Sequence, residues 1–242
     1  MSRLPTTDYL KNFKKELADI DKLERTPSLI KDMAVQALTV AINTSGIQTT
    51  VKIALDNAKS GLENINNRSI ENNFKVIYSQ MCILAVSSLE ATLKKYFENA
   101  LNGFNGINLE NKELEGIKIT LAELVKNKLT YRGGFGRLVL EKVKPNFQDF
   151  QAIKRNFEKY LSKNISLEDE IEKKICFYLE LRHVLVHKGG IIDKKFVSAT
   201  RVFSANIKNY NDGDKVEINS NDWTDIKQCF VKLVEATTKF IS

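Results

Sequence analysis

The sequence has few histidines, cysteines and prolines. Its 242 residues include 2 His, 3 Cys and 3 Pro, and no run approaches the ~20 apolar residues that span a bilayer as a helix. The cysteines Cys82, Cys176 and Cys229 are odd in number and fall within apolar helical patterns, so we expect reduced, buried thiols. Residues 1–8 lack the pattern of a secretory signal. We therefore expect a cytoplasmic protein without a membrane segment.

Linkers and repeats are also missing. No stretch rich in Pro, Gly or Ser is long enough to separate domains, and no internal repeat is visible. A hydrophobic content of 43% is ample for a core. The 37 Lys and Arg outnumber 30 Asp and Glu and give a net charge of +7. This charge favours nucleic acid as a partner, although a lysine-rich solvated surface explains it as well.

Apolar residues recur every three or four positions through most of the chain, which predicts an all-α fold. The strongest pattern, residues 70–97, predicts a helix of about eight turns. Other helices are predicted at 8–24, 29–42, 47–65, 114–129, 147–161, 166–187 and 220–240. A short extended segment, residues 215–218, precedes the last helix. We predict an N-terminal helical extension, residues 1–67, and a helical domain, residues 68–242.

Helix starts are indicated by capping residues. Ser166 and Asp169 form a capping-box pattern at the start of the seventh predicted helix. Ser220 or Asn221 is expected to cap the last one. A break is expected at Pro27, between the first two helices.

Both histidines lie in one short stretch, Arg182 to His187, immediately before Gly189 and Gly190, where a helix is expected to stop. Histidine, with an ordinary pKa near ~6.5, accepts and returns protons near neutral pH. Arginine stays charged and fits phosphate with its fork of donors. Together they supply part of what RNA cleavage needs without a metal: a base for the 2′-hydroxyl, an acid for the leaving oxygen and positive charge at the phosphate.

Helical geometry limits what one copy of this stretch can do. Five steps of about 100° place Arg182 and His187 roughly 140° apart, whereas His183 and His187 share a face. Two arrangements bring all three together. Either the helix ends before His187 and the chain bends inward, or two copies pool their residues across a two-fold axis.

The hexapeptide Arg182-His183-Val184-Leu185-Val186-His187 resembles the R-x4-6-H motif of HEPN domains, in which a polar residue commonly follows the Arg and a Gly-containing turn often follows the His. The continuation Lys188 to Asp193 fits this pattern. Upstream, Ser88 to Phe97 is similar to the long first core helix of such domains. The resemblance covers roughly residues 68–242 and implies an antiparallel helical bundle of HEPN type.

The resemblance also implies an activity. HEPN ribonucleases are metal-independent endoribonucleases that need no cofactor, leave a 2′,3′-cyclic phosphate and typically build a composite site from two motifs at a homodimer interface. By this resemblance His187 transfers the proton, Arg182 holds the scissile phosphate, and His183 orients the substrate or Arg182. The family further implies a toxin or phage-defence effector, with an antitoxin or defence-system partner.

Further basic residues are candidates for contact with the RNA backbone: Lys188, Lys194, Lys195, Arg132 and Arg137. The two arginines flank a glycine-rich stretch, residues 131–137, that could approach phosphate through its amides. It lacks the Gly-Lys-Ser/Thr ending of a phosphate loop, and a plain turn between helices is the preferred interpretation.

Glu90 is an auxiliary candidate, because a carboxylate near the seam of the 70–97 helix could orient Arg182 or a histidine. A solvated helix face is the preferred explanation. His183 and His187 have the spacing of two metal ligands, but no third His and no Cys pair completes a usual zinc set. We therefore predict no metal.

Two alternatives to the nuclease stay open. One is a non-catalytic HEPN module that binds RNA, a nucleotide or a partner protein. The other is a helical scaffold whose motif match is accidental: a histidine at the helix end then complements the helix dipole, and Arg182 pairs with a carboxylate such as Glu180. Burial of His187 against aliphatic side chains would support the scaffold.

Overall fold

The computed structural model describes residues 6–44, 46, 48–65, 76–103, 116–126, 134–201 and 208–239. Over these ranges the regular secondary structure is helical with one isolated β-bridge, so the predicted all-α class is confirmed. The helices are α1 (Thr6–Ile42), α2 (Thr49–Glu63), α3 (Val76–Gly103), α4 (Leu121–Lys126), α5 (Phe135–Val143), α6 (Phe150–Leu161), α7 (Asp169–His187), α8 (Lys194–Thr200) and α9 (Ser220–Thr238).

Helix α3 is the centre of the fold, in contact with α1, α5, α6, α7 and α9. Aromatic rings surround its C-terminal half, where Phe97 contacts the rings of Phe147, Phe157 and Tyr160. Each such fully buried side chain contributes about 1.5–3 kcal/mol. Helix α3 is also long and apolar enough, by length and composition alone, to span a membrane. In this fold its inward apolar residues form the core: Met81, Cys82, Ala85, Val86, Leu89, Leu93, Tyr96, Phe97 and Leu101.

Helix α1 runs antiparallel to α3. Near the start of α1, Asn99 of α3 donates a hydrogen bond to the Tyr9 hydroxyl. Further along, the Tyr78 hydroxyl at the start of α3 donates to Glu24 at 2.7 Å. Between these contacts Phe13 is fully buried. The first half of α1 is therefore part of the core.

The break predicted at Pro27 is wrong, because α1 continues through it as one helix. Proline removes the N–H that would bond the carbonyl of Leu23 and costs about 3 kcal/mol in a helix interior. The Thr26 hydroxyl donates to the Lys22 carbonyl at 3.1 Å in the same turn. The core holds the helix before Pro27 and α2 holds it afterwards, so packing on both sides outweighs the local cost.

Residues 28–44 and 48–65 form an arm that consists of the second half of α1 and of α2. The two helices are antiparallel, and Lys31 near the base of the arm donates to the carbonyl of Ile65 at 2.6 Å. No residue of α2 is buried. The domain boundary predicted after residue 67 falls within residues 66–75, outside the described residues, and stays a prediction.

Two predicted caps are wrong by a few residues. Helix α7 begins at Asp169 with Glu168 as its N-cap residue and without a side-chain cap bond, so Ser166 is not the cap. The last helix is capped one residue earlier than expected. The Asn219 side chain accepts from the Asp222 N–H at 3.1 Å, and the Asp222 carboxylate accepts from the Asn219 N–H at 2.9 Å.

The extended segment predicted at 215–218 lies outside any helix and pairs with the chain that follows α7. The Ile192 N–H donates to the Asp214 carbonyl at 2.9 Å, and the Val216 N–H donates to the Gly190 carbonyl at 2.8 Å. An isolated antiparallel bridge joins Ile191 and Lys215. These bonds fix the end of α7 against the segment that leads into α9.

The glycine-rich stretch is in part a contact between two helices. Residues 131–133 lie outside the described residues, and α5 begins directly after Gly134, which has a φ of 103°. A Cβ on Gly136 would lie 2.0 Å from the carbonyl oxygen of Glu98 on α3. The Gly136 N–H also donates to the Asn102 side chain at 2.7 Å. Gly136 is therefore a close-packing glycine.

We predict that Gly136→Ala lowers the free energy of unfolding by about 1–3 kcal/mol, because the added methyl group overlaps backbone that cannot move freely. Urea denaturation followed by circular dichroism measures this. Gly116→Ala is the matched control, since a Cβ there meets nothing within 4 Å, and a change within about 0.5 kcal/mol is expected. Equal effects of the two substitutions would contradict the packing role.

Candidate active site at the end of helix α7

Helix α7 continues through His187, so the alternative in which it ends earlier and bends inward is wrong. The N–H groups of Lys188 and Gly190 both donate to the Val184 carbonyl, at 2.9 and 3.2 Å. Gly189 and Gly190 have φ values of 62° and 81°, which glycine adopts without steric cost. The chain therefore turns immediately after the motif.

His183 and His187 lie side by side on the exposed face of α7. Their ring centroids are 4.7 Å apart with an interplanar angle of 48°, as the four-residue spacing predicts. Both side chains are exposed, so the burial of His187 that would support a scaffold is absent, while an exposed histidine at a helix end also fits a plain contact with the helix dipole. Two imidazoles are thus available to an external ligand at the negative end of a helix dipole.

Arg182 points in another direction, towards α3. The residue is half-buried, and its Nε is buried without a hydrogen-bond partner. Its guanidinium group is close enough to Cys82 of α3 to favour the thiolate, but burial dominates and raises the pKa of the Cys82 thiol to about 12. Within the described residues Arg182 forms no ion pair with Glu180 or any other carboxylate.

This environment is energetically unfavourable for an arginine. A buried N–H without an acceptor costs about 1–3 kcal/mol, and a charge partly removed from water without a carboxylate adds to that cost. Stability alone would not select arginine at position 182. Unfavourable local choices of this kind are typical of functional positions.

One chain does not bring Arg182 and His187 together. The helix is continuous between them, so their directions differ by roughly 140°, and the histidines are exposed whereas Arg182 turns towards the interface of α7 and α3. Of the two arrangements open to the sequence, only the pooling of two copies is compatible with a continuous α7.

The lysines after the motif lie beside Asp193. The Lys188 Nζ is 3.5 Å from its carboxylate, and Asp193 caps α8 by accepting from the Phe196 N–H at 2.9 Å. The Phe196 N–H, and to a lesser degree Lys188, hold the pKa of Asp193 below its ordinary value. Lys194 and Lys195 are exposed in the first turn of α8. Lys188 is thus paired, while the next two lysines face solvent.

Arg137 and Glu90 lie elsewhere in the bundle. Arg137 is in α5 and pairs with Glu141 at 3.0 Å; its neighbour Gly136 contacts Glu98, about 24 Å along α3 from Cys82. Glu90 accepts from the Gln148 side chain at 3.0 Å and is about 12 Å from Cys82 along the helix. Neither side chain contacts the motif, and Arg132 lies outside the described residues.

Sequence reasoning missed two neighbours of the motif, Cys82 and the carboxylate of Asp193. Cys82 is separated from Arg182 by a hundred positions along the chain and was recognisable only as a core residue. Asp193 had a local signal, since an Asp three residues before Phe196 fits an N-cap. In the part of the chain described, no group of three or more His, Cys, Asp or Glu side chains is arranged to hold a metal ion.

Comparisons of the chain with protein-family models, with curated proteins and with solved structures find no match. The resemblance to HEPN domains therefore stays a prediction. It rests on the hexapeptide, on the glycine turn that follows it and on the long helix upstream.

We predict that Arg182→Met leaves the free energy of unfolding unchanged or raises it by about 1 kcal/mol, because methionine keeps the apolar stem and removes the unpaired buried N–H. Urea denaturation measures the change. The control is Lys174→Met on the same helix, where the ammonium group pairs with Asp225 at 2.8 Å, and a loss of about 1–2 kcal/mol is expected. A loss above about 1 kcal/mol at Arg182 would mean that Arg182 is structural.

Proposed function

We propose that this protein is a metal-independent endoribonuclease of HEPN type that acts as a homodimer and leaves a 2′,3′-cyclic phosphate. Arg182 holds the scissile phosphate, His187 transfers protons, and His183 assists it. The observation that carries the proposal is that the last two turns of one helix hold two exposed imidazoles side by side and an arginine whose buried Nε has no hydrogen-bond partner among the described residues. Arginine is well suited to bind phosphate when no carboxylate among the described residues competes for it.

The chemistry follows from these side chains. The 2′-oxygen of RNA attacks the adjacent phosphorus while an imidazole accepts its proton, and the bond from phosphorus to the 5′-oxygen breaks as that oxygen receives a proton. His187 and His183 are close enough to provide both transfers, or His183 orients the substrate. The guanidinium group stabilises the additional negative charge of the transition state. No cofactor is required.

The proposal needs two copies because Arg182 and His187 diverge within one chain. In a two-fold dimer the arginine of one copy meets the histidines of the other, which forms a composite site. Lys194 and Lys195 follow the motif and are exposed to solvent, which suits contact with the RNA backbone. In the cell, the proposed role is that of a toxin or phage-defence effector that acts with a cognate partner.

We predict that the purified protein cleaves long single-stranded RNA or total tRNA in EDTA and leaves cyclic-phosphate ends. His187→Ala should lower the rate by about 10²-fold or more, since a general acid or base contributes 10²–10⁴-fold. Arg182→Met should lower it by about 10²–10³-fold, the usual effect of losing one transition-state donor. Gel electrophoresis and end-group analysis measure both.

The matched control is Arg137→Met, an exposed arginine that pairs with Glu141 and lies far from the motif, and its rate should equal that of the wild type. Equal RNA binding by all variants, with cleavage by none, would contradict the nuclease. That result would favour the second candidate, a non-catalytic HEPN module. The divergence of Arg182 and His187 within one chain is the observation in favour of this module.

We predict that the two inactive variants complement each other. When Arg182→Met and His187→Ala chains are mixed and allowed to exchange, half of the dimers are mixed, and each mixed dimer contains one intact composite site. About a quarter of the wild-type rate should return. A site formed within one chain would give no recovery, and native mass spectrometry of the mixture verifies the exchange, because mixed dimers have a mass between those of the two homodimers.

A further inference from the structure

The arm presents two exposed apolar stripes with heptad spacing. On α1 the stripe is Ile30, Met33, Ala37 and Val40, and on α2 it is Val51, Ala54, Ala58 and Gly61. Each repeats at intervals of three and four residues, the spacing by which helices pack side by side. All eight residues are exposed. We refer to these eight residues as the arm face.

The two stripes lie on the same side of the arm. On α2 the residues turned towards α1 are Leu55, Lys59 and Leu62, which are half-buried, and the stripe is displaced from them by about 90°. On α1 the half-buried residues are displaced from their stripe by about 140° in the same rotational sense, so the α1 stripe is turned further from the neighbouring helix than the α2 stripe. Because the helices are antiparallel, equal senses of rotation bring both stripes to one side.

Charge is excluded from the arm face. The charged residues of the arm occupy other heptad positions on both helices: Lys31, Asp32, Lys52, Asp56, Lys59 and Glu63. Lys59 pairs with Glu63 at 3.7 Å. The three lysines and three carboxylates of the arm sum to zero net charge. The arm face carries none of them, so charge does not oppose its contact with an identical copy.

We propose that the arm face binds the arm face of a second copy of this chain and forms a four-helix interface. Heptad stripes are self-complementary under a two-fold axis, and the small residues at positions 37, 54, 58 and 61 let the backbones approach. The face is about 20 Å long and about 20 Å wide. Two copies bury on the order of 1,000 Å² in total, the lower bound of a specific interface.

The arm leaves the bundle at the end that carries the motif. Glu24, the last residue of α1 seen bonded to α3, contacts Tyr78 in the first turn of α3. Cys82 lies one turn further along α3, and the charge of Arg182 reaches its thiol. Two copies joined by their arms thus have their histidine-bearing ends adjacent to the joined region. The interface itself is argued from the arm face alone and does not depend on the proposed nuclease activity.

We predict that the wild-type protein has a mass near twice the 27.5 kDa of one chain when sedimentation is measured across about 1–100 µM, the range in which a small interface dissociates. Met33→Lys combined with Val40→Lys should weaken association at least about tenfold, because each lysine buries a charge. Both native side chains are exposed, so folding should not change, and circular dichroism checks this.

The matched control is Ile53→Lys, because Ile53 is 56% exposed, close to the 62% of Met33, but lies outside the stripe. It should sediment like the wild type, as should His187→Ala. A wild-type protein that stays monomeric throughout would overturn the proposal. So would a dimer that the double substitution leaves intact, because a different surface would then join the copies.

A second measurement does not depend on the lysine variants. Ala37→Cys, within the arm face, should give a cross-linked dimer with a short bis-maleimide, whereas Asp56→Cys, on the charged side of α2, should not. The native thiols will not interfere strongly, since burial raises the pKa of Cys82 and Cys229 to about 12 and of Cys176 to about 11. Equal cross-linking at both positions would contradict the assignment of the face.

Discussion

The structure depends on the burial of α3. Five other helices cover this helix, and its inward stripe from Met81 to Leu101 is closed to water. Packing against α3 explains three local departures from simple sequence rules. A proline is retained inside α1, a glycine is required where α5 crosses α3, and an apolar segment long enough to span a bilayer forms a core.

The same packing creates the candidate site. Helix α7 is held against α3 and α9, so its last turn has one side within the bundle and one side in solvent. Arg182 falls at the inner boundary and His183 and His187 fall outside. The separation of the guanidinium group from the imidazoles is therefore a direct consequence of a continuous helix. It is also the reason why any chemistry that uses all three needs a second chain.

Two separate observations, one on the arm and one on the motif, bear on whether this chain associates with a second copy of itself. The side chains of the motif diverge within one copy, and the arm exposes apolar surface that no described residue covers. Both lie at the end of the bundle where α3 begins. A contiguous uncharged apolar face on a protein surface often marks an interaction site, and the proposed self-association accounts for this face without invoking the activity of the motif.

The sequence alone determined the helical class, because periodic apolar residues are a local property that each helix carries by itself. It also determined that His183 and His187 share a face and that the chain turns at Gly189. It could not determine that α1 passes through Pro27, since the compensating contacts come from distant helices. Nor could the sequence predict that Arg182 lies near Cys82, that Glu90 and Arg137 lie away from the motif, or that the arm face is exposed. Those outcomes depend on which helices pack together, and that was decided only by the tertiary structure.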